Sequence, residues 1–317
     1  MPADSRGKKL LYKIAKAYYE DGLTQQDIGE RFGLSRIKVS RLLDQAREEK
    51  IVQVLIVHPP EALNVEYERK IEEMYHIKEA VVVSPTSNER PILYQELGEA
   101  AAACLVRHLQ GHEVVGLTWG GTMKAIVDAL PAESWPEMRV VQLLGGLGRP
   151  EAEMHGADLT RRMAQTFGAK PRLLYAPGIV PNKLVCDALK GDAQIADTLT
   201  LGGNADVIIV GLGRPTADSP VMQAGILTEM DRQALEQRGA VGDIALRFID
   251  ARGEPIEHEI NERIIGVELE SICKARRIIG VAGGSNKYEV IRAALMGKLI
   301  NVLVTDEGNA MRLIQER

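Results

Sequence analysis

Apolar residues recur at intervals of three and four from Leu11 to Leu43 and then give way to short β-branched runs, so the chain opens helical and continues as alternating strands and helices. Leu11, Ile14, Ala15 and Tyr18 mark a supporting helix over 10–20 that ends before Asp21-Gly22. Thr24 can cap a second helix running to about Phe32, with Asp27 placing negative charge in its first turn and Ile28 and Phe32 on one face. Gly29 permits a close helix crossing, and Gly33 suits the left-handed residue that ends a helix. Leu34 plugs the corner, Ser35 can cap a third helix, and Val39, Leu42 and Leu43 form its inward stripe.

That spacing is the signature of a helix-turn-helix. It leaves Arg36, Lys38, Ser40 and Arg41 facing outward, where a recognition helix enters the major groove and arginine can pair with guanine while lysine or serine meets phosphate. Gln25 and Gln26, at the start of the preceding helix, are candidate phosphate contacts. With the capping Ser35, these seven residues are the candidate DNA-binding set.

The run Ile51 to Val57 reads as a strand, a wing or an exit from the head. His58-Pro59-Pro60 interrupts the chain, which puts a domain boundary there: a helix-turn-helix domain over 1–58 and a second domain over 59–317. Residues 63–75 read as a bridging helix, the natural lever between the two parts. Beyond Ala80, strands are expected at 80–83, 114–117, 140–144, 173–176, 207–210, 244–249, 278–281 and 301–304, alternating with helices, as in a mostly parallel, Rossmann-like α/β sheet.

Several of those strands run into glycine or hydroxyl residues, namely Thr118-Trp119-Gly120-Gly121-Thr122, Gly145-Gly146-Leu147-Gly148, Gly211-Leu212-Gly213 and Gly283-Gly284-Ser285-Asn286-Lys287. Ligands of open α/β sheets bind beyond the carboxyl ends of strands, where these loops should converge. Backbone N–H groups at Gly120, Gly121, Thr122 and Met123 and the ammonium of Lys287 suit an anion, and Asp243 suits sugar hydroxyls. The long apolar stretch 93–109, with alanines at 100–103, suits either subunit packing or helix-on-sheet packing within one subunit.

The net charge of −5 is segregated. Residues 1–58 hold eleven Lys/Arg and eight Asp/Glu, a net +3, and the remainder carries −8. A basic head on an acidic body suits DNA binding by one end, and dimerisation would double a weak set of phosphate contacts. Cys104, Cys186 and Cys273 are far apart and read as buried apolar residues of a reducing cytoplasm, with no Cys/His cluster, metal or cofactor expected. No apolar run has membrane-spanning length, so no membrane partner is expected.

The head from Leu23 to Val52, with GLTWGGT, QLLGGLG, ADVIIVGLG, AVGDIALRFID and GVAGGSNK, closely resembles the SorC family of bacterial sugar-responsive transcription regulators across nearly the whole chain. The resemblance implies a helix-turn-helix followed by an effector-binding α/β domain similar in fold to sugar-phosphate isomerases and CoA transferases. It also implies a homo-oligomer, dimer or tetramer, whose operator affinity responds to a sugar, polyol or sugar phosphate. Carried over by position, its effector contacts fall on Gly120, Gly121, Thr122, Met123, Gly145, Gly146, Asp243 and Lys287. One departure is Leu144, where members of that family often bear arginine or a lysine able to form a Schiff base. An aliphatic side chain can do neither, which favours a monophosphate or an unphosphorylated polyol.

The alternative is a sugar-phosphate isomerase- or deaminase-like enzyme. His155 with Asp158 would be its base, but no nucleophile is paired to a base and no histidine spacing suits a metal, so no catalytic residue is assigned.

Overall fold

The computed structural model describes residues 3–54, 64–146, 156–216, 219–223, 225 and 227–316. The chain divides into two compact units, Met1–Ala62 and Leu63–Arg317.

The first unit holds three helices, α1 (Ala3–Tyr19), α2 (Gln25–Phe32) and α3 (Arg36–Glu48). Ile14, Ala17, Ile28, Val39 and Leu43 form its centre, with Leu11, Ala15 and Ala46 beside it. Thr24 Oγ1 accepts the N–H of Asp27 while Asp27 returns a carboxylate to the N–H of Thr24, a capping box that fixes where α2 begins. Ser35 Oγ accepts the N–H of Lys38 and starts α3. The strand expected over 51–57 does not form over 51–54, and 55–57 lie outside the described residues. The N–H groups of Ile51 and Val52 both donate to the carbonyl of Ala46, and the two side chains pack beside Leu11 and Ala15. Closing the helix end thus overrides the β propensity of this run.

The second unit is an α/β domain. In chain order it comprises α4 (Val65–Tyr75), β1 (Glu79–Val83), α5 (Arg90–Arg107), β2 (Val114–Leu117), α6 (Gly121–Asp128), β3 (Arg139–Gln142), α7 (Gly156–Thr166) and β4 (Lys170–Arg172). There follow α8 (Lys183–Lys190), α9 (Ala193–Gly203), β5 (Val207–Gly213), α10 (Pro220–Gln223), α11 (Glu229–Gln237), β6 (Gly242–Ile244) and β7 (Arg247–Ile249). The last elements are α12 (Leu269–Ile272), β8 (Arg277–Val281), α13 (Tyr288–Met296), β9 (Val302–Asp306) and α14 (Glu307–Gln315). Parallel strands run in the order β1-β9-β8-β5-β2-β3-β4, and the β6–β7 hairpin pairs antiparallel with β5. Strands β2, β3 and β4 step one way across the sheet, while β5, β8 and β9 step the other. The order therefore reverses between β2 and β5.

Burial on both faces explains the unbroken apolar strands, as in Val207 to Val210, where no residue is exposed. Edge strand β1 is closed by α4: Glu72 accepts the N–H of Ala80, Glu68 that of Val82, and Asn64 donates to the carbonyl of Val82. Part of the small-residue face of α5 is used inside this unit, while Ala103 stays exposed. Gly98 lies so close to α6 that a Cβ there would stand 2.6 Å from the backbone of Ala125, and Ala101 and Ala102 are buried.

Two expected strands need correction. The strand read at 173–176 lies instead at Lys170–Arg172 on the exposed edge, where Pro171 is tolerated. The single strand read over 244–249 is two, because Ala245 and Leu246 take φ of 52° and 63° and reverse the chain between them.

Candidate nucleic-acid interface and ligand pocket

On the head, Val39, Leu43 and Ala46 turn inward, while Arg36, Lys38 and Arg41 are exposed and Ser40 is half-buried. Gly33, at φ 66°, makes the left-handed turn between α2 and α3, and Gly29 sits 2.6 Å from the Leu34 carbonyl by its ideal Cβ position. Gln25, Gln26 and Arg36 share the rim of one shallow depression with Tyr18, Leu23 and Thr24. A compact set of donors and cations at the starts of two adjacent helices is chemically suited to phosphate and to base edges.

In the body, a cavity of about 710 Å³ opens beyond the carboxyl ends of β2, β5 and β8, at the place where the strand order reverses. The loop after β2 supplies Gly120, Gly121, Thr122 and Met123, with Gly120 at φ 132° leading into α6. The loop after β8 supplies Gly283 to Lys287, with Gly284 at φ 97°. Lys287 Nζ donates to the Leu212 carbonyl at 2.8 Å, which carries the ammonium across to the β5 loop. Asp243 on β6 is buried at the wall. Burial pushes its carboxyl above the usual carboxylate range, opposed by the N–H of Leu246 and the charge of Lys287.

Six of the eight expected ligand contacts, Gly120 to Met123, Asp243 and Lys287, are thus brought to one cavity. Gly145 and Gly146 are not among its lining residues. Their backbones are tied elsewhere: Gly145 donates to Ile265, Gly146 donates to Ala176, and a Cβ on Gly145 would stand 2.5 Å from the Pro177 carbonyl. Close packing accounts for that glycine, and its carbonyl also accepts Trp119 Nε1 at 2.9 Å. Leu144, the departing position, does line the cavity.

Sequence reasoning missed Arg90, Arg214 and Arg312, which also line the cavity and, with Lys287, outnumber the two lining carboxylates Asp243 and Asp306. Arg214 directly follows the Gly211-Leu212-Gly213 loop, which was its available signal; Arg312 lies on the last helix and has none. Asp306 is occupied by Gly284 N–H, Asn309 N–H and Asn309 Nδ2. Asn309 Oδ1 and Ser219 Oγ are buried at the wall without a hydrogen-bond partner among the described residues. The lining therefore joins cations for an anionic group to donors and acceptors for hydroxyls.

Of the other candidates, His155 lies outside the described residues, and Asp158 is exposed on α7 beside Arg162, away from the cavity lining. The expectation of no Cys/His cluster fails, because Cys104 on α5 and His108, which caps the end of that helix, stand one turn apart and the sheet brings Glu79 to them, with ligand atoms within 4.8 Å. His108 Nε2 lies 2.9 Å from one Glu79 oxygen and the Arg107 guanidinium pairs with the other, so this carboxylate clasps α5 to β1 beside a cation that opposes a metal.

Comparison with known proteins agrees with both parts. Residues 60–315 match the family described as "Putative sugar-binding domain", and residues 13–49 match "Sigma-70, region 4". The chain is 33% identical over 314 residues to the deoxyribonucleoside regulator of Bacillus subtilis, covering 99% of each. It is 33% identical to the transcriptional regulator LsrR of an Enterobacter strain, covering 97% of this chain and 93% of that one. The crystal structure of the full-length sorbitol operon regulator SorC from Klebsiella pneumoniae superposes with a TM-score of 0.74 at 29% identity, over 97% of this chain and 99% of that chain.

Proposed function

The chain belongs to the SorC family of bacterial sugar-responsive transcriptional regulators, and from that premise we propose that its operator affinity is set by a sugar, polyol or sugar phosphate bound in the cavity of the second unit. The observation that carries this reading is the convergence of the β2, β5 and β8 loops on a cavity rich in arginine and lysine, in a chain that also carries a capped helix-turn-helix. Residues 1–58 act as the DNA-binding domain and 59–317 as the effector-binding and oligomerisation domain.

Gln25, Gln26, Ser35, Arg36, Lys38, Ser40 and Arg41 contact the operator, the arginines reading base edges and the others holding phosphate. Gly120, Gly121, Thr122 and Met123 at the start of α6 take the anionic end of the effector, Lys287 neutralises it, and Asp243 accepts its hydroxyls. Gly145 supports that wall through its carbonyl contact with Trp119, and Gly146 holds the loop by its backbone bonds to Ala176 and Gly178. Because Leu144 is aliphatic where a second basic group would stand, a monophosphate or polyol fits better than a bisphosphate, and no covalent adduct forms there.

The protein works as a cytoplasmic homo-oligomer, in which two heads double the phosphate contacts of one. Among the described residues no helix is long and apolar enough to cross a membrane. No catalytic step is assigned to it. Effector and operator are linked, so the factor by which one changes the other's affinity is the same in both directions.

The test is fluorescence anisotropy with DNA from upstream of this protein's own gene, at fixed salt, against a panel of sugars, polyols and their phosphates. Affinity shifted by one compound class is the expected result. Absence of specific binding under every condition would return the enzyme alternative.

A further inference from the structure

We propose that Ile37 reads the C5 methyl group of a thymine in the major groove. The inference rests on the DNA-binding reading of α3 and adds a residue to it.

Helical geometry singles Ile37 out. At about 100° per residue, the inward stripe of Val39, Leu43 and Ala46 places Ile37 and Arg41 roughly opposite it, as the two outermost positions in the first turns of the helix. Ser35 caps α3 through Lys38, so these two side chains are held on a fixed turn and not on a frayed end. Ile37 is 69% exposed, whereas Val39 is fully buried. It is also the most exposed large apolar side chain described in the head, and it stands among Arg36, Lys38 and Arg41.

A β-branched aliphatic residue gains nothing from water at such a place. Core packing does not explain it, since its side of α3 is the one turned away from Ile14 and Ile28. Cations on either side would instead draw it toward a polyanion. In the major groove the single apolar feature a base offers is the thymine methyl group, and apolar side chains recognise it by contact alone. Arg41, one turn further along the same face, would then meet the neighbouring base or phosphate, so the pair reads adjacent positions of one half-site.

The experiment uses the full chain and DNA from upstream of its own gene, with each footprinted thymine replaced in turn by deoxyuridine, which removes only the methyl group. Wild type should lose about fourfold in affinity at one thymine per half-site, the worth of one buried methyl. Ile37→Ala should bind the unmodified DNA about as weakly as wild type binds the uracil probe, and should not notice the replacement. Ile37→Val should keep most of the discrimination, and Arg41→Ala should lose affinity while keeping the thymine-to-uracil ratio. Indifference of wild type to every replacement, or an unchanged ratio in Ile37→Ala, overturns the proposal while leaving specific, salt-dependent operator binding intact. If wild type fails to prefer this DNA over a scrambled duplex, the DNA-binding reading itself fails and this inference with it.

Discussion

Asp243 Oδ2 accepts the N–H of Leu246 at 2.9 Å across a turn whose two central residues, Ala245 and Leu246, both have positive φ. Such a turn normally takes glycine or asparagine, so this one holds strain at the wall of the cavity, and the Asp243 carboxylate is its clamp. Asp243→Ala should cost about 1–3 kcal/mol, because the buried N–H of Leu246 loses its acceptor. Asp243→Asn keeps an acceptor oxygen and should retain the fold while weakening effector binding. Urea melts and calorimetric titrations of the two variants separate the effects; equal stability of Ala and Asn variants would remove the clamp from the account.

The same carboxyl predicts two opposite responses to pH. Burial raises its folded value above the unfolded one, so its stabilising contribution is full below the unfolded value and disappears as pH rises through the folded one. Wild type should therefore gain stability relative to Asp243→Asn on acidification. Effector binding should move the other way, since protonation removes an acceptor for hydroxyls. Parallel pH profiles for wild type and variant, in melting or in binding, would contradict the assignment.

What was legible beforehand depended on distance along the chain. The head could be read because its spacing, caps and left-handed turn are all local, and Thr24, Gly33 and Ser35 stand where that reading put them. Parallel strands were legible because burial on both faces leaves apolar runs, as at 207–210. Ile51 and Val52 misled because their backbone N–H groups are needed at the end of α3. Gly145 looked like a phosphate loop, yet what it avoids is the Pro177 carbonyl, a contact set by the fold. Arg90, Asn309 and Arg312 come to the cavity only through topology, and so does Glu79 to Cys104 and His108.

Gly29 tests whether the head is required for operator binding alone. A Cβ there would stand 2.6 Å from the Leu34 carbonyl, a backbone atom that cannot turn aside. Gly29→Ala should force α2 away from the start of α3, destabilise the head by about 1–3 kcal/mol and abolish specific DNA binding. Thermal stabilisation of the variant by the effector should match that of wild type. Operator affinity within twofold of wild type would mean that the α2–α3 crossing is not what positions the recognition helix.

Glu113 anchors the entrance to β2. Its buried carboxylate accepts N–H groups from Gln110, Gly111 and His112, with Arg276 3.6 Å away. Burial pushes its acid strength down, but those backbone donors outweigh it and hold the carboxyl below its ordinary range. A depressed folded value contributes stability that is present above the unfolded value of about 4.3 and lost as pH falls through the folded one. Glu113→Gln can satisfy these donors with only one oxygen and no charge, so it should cost about 1–3 kcal/mol at neutral pH. The gap between wild type and variant should begin to close as both are acidified below pH ~4 and close fully only once pH has fallen through the depressed folded value, where the wild-type carboxyl is neutral as well. A gap that persists unchanged at low pH would assign the cost to packing, and no loss at pH 7 would show that the turn before β2 holds without this carboxylate.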